Sequence, residues 1–124
     1  HTVSEYPAPE WALNLRCIVK LRHRYNCAVG YSGHEVTMIP SVLAAMMGAV
    51  AVERHITLDR SMYGSDQAAS LEKRGLEMMV DYMRTIETVI GDGVRRISEK
   101  EAANSHKLRY YVGPHFQVGT GAMG

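Results

Sequence analysis

His34 and His55 are the residues of this sequence whose type and placement suit them best to joint chemistry. Cys27-Ala28-Val29-Gly30-Tyr31-Ser32 reads as a short buried strand that leaves through Gly33-His34-Glu35. Ala49 to Thr57 reads as a second strand, with Val and Ile recurring along it. Side chains alternate across a strand. Ala28, Gly30, Ser32 and His34 therefore share one face, and Ala49, Ala51, Glu53, His55 and Thr57 share another. The opposite faces carry Val29 and Tyr31, then Val50, Val52 and Ile56. Each strand thus ends in a histidine on its polar face. Two neutral imidazoles on neighbouring strands can hold a divalent cation, with positions left for water and substrate. A strand-end histidine taken alone is more often a structural hydrogen-bonding group, so both readings stand.

Asp66 lies in Gly64-Ser65-Asp66, inside the polar loop from Leu58 to Ala69 that leaves the second strand. Gly, Ser and Asp favour turns, and on spacing alone a turn residue is the stronger reading. The other reading is a carboxylate that accepts hydrogen bonds from a polyol. His1, His23, His106 and His115 have no partner in any readable pattern and read as surface or loop residues. Met78, Met79 and Met83 fall on a helical stripe and read as packing.

These residues need elements to position them. Residues 1–9 hold two prolines and read as a loop. Leu15, Ile18, Val19 and Leu21 predict a helix from Glu10 to about Tyr25, its end rich in Lys and Arg. A second helix is predicted from Met38 or Pro40 to Met47, stopped by Gly48. Ser70 is a plausible cap for a third, Leu71 to Ile90, with apolar residues every three or four positions. A short helix is expected near Glu99 to Lys107, and the Gly-rich end at residues 113–124 shows no core pattern. Helix and strand alternate, which argues for an α/β fold with parallel strands and crossover helices. A (β/α)8 barrel needs roughly 250 residues. This sequence of 124 could supply only its last segments.

Composition narrows the classes. Hydrophobic residues make up 46%, enough for a packed core. Fourteen basic and 13 acidic residues leave a formal charge of +1 with no basic block, so nothing asks for nucleic acid or an anionic membrane. The longest apolar run, Val42 to Val52, is too short to span a bilayer. Cys17 and Cys27 share no metal-ligand spacing and read as reduced thiols, which fits a cytoplasmic protein. The first residue is not Met, which reads as a fragment or a processed chain.

The pattern resembles the sialic acid (N-acetylneuraminate) synthase family. Val29-Gly30-Tyr31-Ser32-Gly33-His34-Glu35 resembles the end of the seventh barrel strand of those enzymes, and Glu53-Arg54-His55-Ile56-Thr57-Leu58-Asp59-Arg60 the end of the eighth. Gly64 to Glu72 resembles the loop and helix start that follow, and His1 through Pro9 the exit of the sixth strand. The match covers residues 1–112, with 113–124 as a separate tail. Each motif alone is weak, whereas the set in this order and spacing is specific.

The resemblance implies the carboxyl-terminal part of a TIM barrel. It also implies an enzyme that condenses phosphoenolpyruvate with N-acetylmannosamine, free or 6-phosphorylated, to give N-acetylneuraminate or its 9-phosphate, and phosphate. His34 and His55 match the two metal ligands, for Mn2+ or Mg2+. Ser32 matches a position near phosphoenolpyruvate, Tyr6 a tyrosine lining the site, and Asp66 an aspartate that holds sugar hydroxyls. Glu53, beside His55, is assigned water or proton handling. Ser4 and Gln67 depart from the Asn and His common in the family. The first five strands, with their phosphate-binding lysines, are not in this sequence, and the carboxyl-terminal antifreeze-like domain common in the family is expected to be absent or only begun. The chain is therefore expected to be inactive alone, and to act as a homo-oligomer or with the missing half-barrel. A legionaminic or pseudaminic acid synthase, or a non-catalytic partial-barrel module, are the alternatives.

Overall fold

The structure is a computed structural model and describes residues 1–108. The tail at 113–124, with His115, lies outside the described residues. The chain divides into two units, His1–Gly91 and Asp92–Gly124. In the first, the order is helix α1 (Arg16–Tyr25), strand β1 (Tyr31–Gly33), helix α2 (Ile39–Met46), strand β2 (Val52–Arg54) and helix α3 (Lys73–Ile90). In the second, helix α4 runs Glu99–Leu108, one residue beyond the expected end. Arg96 pairs with Asp92 at 2.7 Å, and Arg95 with Glu101. No described helix is long and apolar enough to cross a membrane.

The strands are parallel, with Tyr31, Ser32 and Gly33 opposite Val52, Glu53 and Arg54. The α/β alternation read from the sequence is present, but both strands are shorter than expected. The ladder continues backwards only as single bonds, Val50 N to Val29 O at 3.0 Å and Tyr31 N to Ala51 O at 2.9 Å. His1 and Thr2 lie along the other edge of β1. Ser32 N donates to His1 O at 2.9 Å, and Thr2 bridges Ser32 in parallel. His1 is not a free loop residue, because its Nε2 sits 2.7 Å from the Leu13 carbonyl.

The predicted first helix splits in two. Glu10–Ala12 is a 3-10 turn, and Asn14 takes a left-handed conformation (φ 41°) that the helix cannot pass through. The helix resumes as α1, whose last turn carries Arg22, His23 and Arg24 at the negative end of the dipole. Asn26, also left-handed (φ 47°), ends it. α2 keeps Pro40 in its first turn, where the missing N–H costs nothing. Gly48 follows its end with φ 92°, a conformation that favours glycine.

α3 starts at Lys73 and not at Leu71. Leu71 N donates to His55 O and Leu71 O accepts from Thr57 N, both at 2.9 Å, so its backbone belongs to the end of the second strand. Ser70 therefore does not cap the helix. Its hydroxyl donates to the Asp66 carbonyl at 2.8 Å, and Glu72 takes the cap position.

The core is one-sided. Ile18, Val29, Tyr31 and Ala44 are buried together, with Leu15, Leu21, Ala49 and Val52 against them. The apolar strand face packs on the helices as expected for Val29, Tyr31 and Val52. Val50 and Ile56 do not follow, being 68% and 66% exposed. Both flank the three paired residues of β2, and the described residues leave most of their surface open. Ile18 is fully enclosed, so Ile18→Ala is expected to cost about 2–5 kcal/mol from lost transfer energy and a residual cavity. Chemical denaturation of the protein reads this directly. Trp11→Ala, at an exposed site, is the control and should stay within about 0.5 kcal/mol of the parent.

Candidate functional site

The ends of β1 and β2 bring Tyr6, His34 and His55 into one aromatic cluster. Tyr6 stacks on His34 with ring centres 4.1 Å apart. His34 and His55 meet edge to face at 5.3 Å, and Tyr6 lies 5.6 Å from His55. The 1–9 segment carries Tyr6 here because Ala8 N donates to the His34 carbonyl at 2.9 Å. The Tyr6–Pro7 peptide is cis.

His34 is buried and its Nδ1 lies 2.7 Å from the Val3 carbonyl. A carbonyl only accepts, so Nδ1 carries the hydrogen, and in the neutral ring Nε2 is the nitrogen with a lone pair to offer. His55 turns Nδ1 toward Asp66 Oδ2 at 3.5 Å, a separation longer than a good hydrogen bond. Its side chain is 34% exposed and that of Asp66 46%, so solvent reaches this side.

Metal–nitrogen bonds are about 2.1 Å, so two imidazoles on one ion stand with ring centres about 5 Å apart. The observed separation and the free Nε2 of His34 fit such a pair. Among the described residues no group of three or more His, Cys, Asp or Glu is placed to hold a metal ion. The donor set here is two imidazoles, which leaves most positions of an ion to other ligands.

Ser32 and Glu53 face each other across the ladder, the Ser32 hydroxyl donating to Glu53 Oε1 at 2.8 Å. This pair shares the strand face of the histidines. Asp66 accepts from the Ser65 hydroxyl at 2.8 Å. Gln67 turns inward beneath Gly64, and its Oε1 is buried without a hydrogen-bond partner among the described residues. Cys17 and Cys27 are free thiols.

Sequence reasoning missed Glu35, Ser41 and Arg54. The Arg54 and Glu35 side chains are each 1% exposed and form an ion pair at 3.0 Å. Tyr31 donates its hydroxyl to Glu35 Oε2 at 2.9 Å, and Ser41 to Oε1 at 2.8 Å. Burial lowers the pKa of Arg54, and the Glu35 carboxylate opposes that shift. Burial, then the Glu35 carboxylate, raises the Tyr31 phenol far above its usual range. The available signal was Arg54 itself, a cation that alternation puts between Val52 and Ile56 on the apolar side of the strand.

Parallel strands backed by helices, with polar side chains gathered at their carboxyl ends, define an α/β protein whose site lies where such folds place their chemistry. The profile of the NeuB family matches residues 1–95, and the chain belongs to that family. It is 38% identical over 109 residues to N,N'-diacetyllegionaminic acid synthase of Campylobacter jejuni, covering 88% of this chain and 33% of the relative. It is 39% identical over 106 residues to the human N-acetylneuraminate-9-phosphate synthase, covering 85% and 30%. The crystal structure of N-acetylneuraminic acid synthetase from Leptospira borgpetersenii superposes with a TM-score of 0.71 at 32% identity, covering 90% of this chain and 40% of that one. The chain spans about a third of the length of the curated relatives it matches.

The raised Tyr31 pKa sets a pH dependence. Below about pH 10 the folded and unfolded states both hold the phenol proton. Above it the unfolded chain loses that proton first, so Tyr31 makes stability fall as pH rises. Chemical denaturation between about pH 8 and pH 11 should show a smaller loss in Tyr31→Phe than in the parent. An equal loss in both would mean Tyr31 is not held as described.

Proposed function

We propose that this chain is the carboxyl-terminal part of the (β/α)8 barrel of a sialic acid synthase. The proposed reaction consumes phosphoenolpyruvate, water and N-acetylmannosamine or its 6-phosphate: a carbon–carbon bond forms between the enol carbon and the sugar aldehyde, and water enters as phosphate leaves, giving a nine-carbon 2-keto acid and inorganic phosphate. The observation that carries this reading is the Tyr6–His34–His55 cluster at the carboxyl ends of adjacent parallel strands. A divalent ion held by His34 and His55, Mn2+ or Mg2+, would supply Lewis-acid polarisation of the sugar aldehyde.

The chain's own residues do the rest. The Val3 carbonyl fixes the ring of His34 by accepting from Nδ1–H. Tyr6 covers that ring and walls the site. Asp66 accepts sugar hydroxyls from its half-exposed loop, which selects a polyol over a simple aldehyde. Ser32 lies by the phosphoenolpyruvate, and Glu53, hydrogen-bonded to it, handles water or a proton. The module without catalysis is the weaker reading, because it gives no role to two histidines sharing one cluster. A sister synthase for legionaminic acid is the second reading, favoured by 38% identity to the Campylobacter jejuni enzyme.

The phosphate-neutralising groups and the other strands lie outside this sequence in the proposal, and unpaired sheet edges invite association. The isolated chain should release no phosphate from phosphoenolpyruvate, N-acetylmannosamine and Mn2+, and should associate with itself. Supplying the missing strands, in cis or as a partner, should restore turnover. In that complete enzyme His55→Ala should weaken Mn2+ binding by roughly 100-fold or more, and Asp66→Asn should raise the sugar KM with Mn2+ affinity nearly unchanged. Turnover by the isolated monomer, or loss of Mn2+ binding in Asp66→Asn, would contradict the proposal.

A further inference from the structure

We infer that Arg54 is a positioning residue: its guanidinium fastens the loop that follows His34 to the loop that carries Asp66, and so sets the spacing between imidazoles and carboxylate. This rests on the roles proposed above for His34, His55 and Asp66. Arg54 stands between Glu53 and His55 on β2 but points away from them, into the protein. Nη1 donates to Glu35 Oε1 at 3.0 Å, to the Thr37 carbonyl at 2.8 Å and to Ser41 Oγ at 3.1 Å. Nη2 donates to the Glu35 carbonyl at 2.5 Å and to the Ala69 carbonyl at 3.1 Å.

One planar group therefore touches three segments: the exit of β1, the start of α2 and the 3-10 turn Gln67–Ala69. The Glu35 carbonyl is one residue past His34. The Ala69 carbonyl is linked to Asp66 in turn, since Ala69 N donates to the Asp66 carbonyl at 3.1 Å. The Ser70 hydroxyl closes on the same carbonyl at 2.8 Å. A continuous path of bonds thus runs from His34 through Arg54 to Asp66, whose carboxylate faces His55. Arg60 adds an exposed second fastening, from Nη2 to the Ala68 carbonyl. Glu35 neutralises the buried guanidinium, and Tyr31 and Ser41 satisfy that carboxylate.

A lysine keeps the charge but not the fork, so it can pair with Glu35 and cannot reach both carbonyls at once. In the full-length protein, Arg54→Lys should speed amide exchange at Ala69 and Ser70 by roughly tenfold. The amides of Tyr31 and Val50, in the ladder between the strands, should keep their protection. The acceptor-sugar KM should rise by roughly tenfold, with the phosphoenolpyruvate KM within about twofold of the parent. The double variant Arg54→Met with Glu35→Leu removes both charges, so the fold tolerates it better than a single loss. It should show the same loosening at Ala69 and Ser70.

Unchanged exchange at Ala69 and Ser70 in both variants would overturn the inference. So would uniform loosening of ladder and loop with both KM values moving together, which marks a purely structural role. If the parent shows no turnover at all, the proposed function fails. The exchange measurement still decides whether Arg54 ties the two loops.

Discussion

The buried ion pair of Arg54 and Glu35 is the interaction on which the rest of this structure depends. Two ions at 1% exposure forfeit their hydration, and attraction alone seldom repays that loss. Here the surroundings complete the pair. Tyr31 and Ser41 donate to the carboxylate, and three backbone carbonyls accept from the guanidinium. Removing one partner would leave a buried charge alone, a cost of about 3–5 kcal/mol. Within the pair, Arg54 Nε is the buried atom without a partner among the described residues. The strands contribute three paired residues each, and the Arg54 guanidinium adds bonds to the segments that follow both of them.

That constraint explains why the polar face can afford openness. His34 is buried and fixed by the Val3 carbonyl, whereas His55 and Asp66 are a third to a half exposed. A fixed imidazole thus stands beside an accessible one, with a carboxylate further out, which is the arrangement the proposed function calls on. The rigid side comes from the apolar and ionic network behind the strands. The accessible side comes from the loop at residues 58–66, where Leu58 and Tyr63 are almost wholly in solvent.

The sequence made the site legible through parity. Alternation alone put Ser32 with His34 and Glu53 with His55, and the structure places Ser32 against Glu53 and His34 against His55. Helix positions were legible where apolar periodicity was long, as in α3. The starts of the first and third helices were not. Asn14 breaks the first helix through a backbone conformation that no periodicity reports. Leu71 leaves the helix because its backbone bonds to residues far back in the chain. Arg54 was hidden for the same reason. Its partners, Glu35, Thr37, Ser41 and Ala69, lie on three separate segments. Nothing local marks such a residue except a charge on an otherwise apolar face. Val50 and Ile56 failed in the opposite sense, as apolar residues with nothing described packed over them.

The central claim of the proposal is that His34 and His55 hold one divalent ion. Pulsed electron paramagnetic resonance on the Mn2+-loaded, 15N-histidine-labelled full-length protein tests it most directly. The account predicts two imidazole nitrogen couplings, one lost in His34→Ala and the other in His55→Ala. Mn2+ bound without any imidazole coupling, or couplings that survive both substitutions, would contradict it.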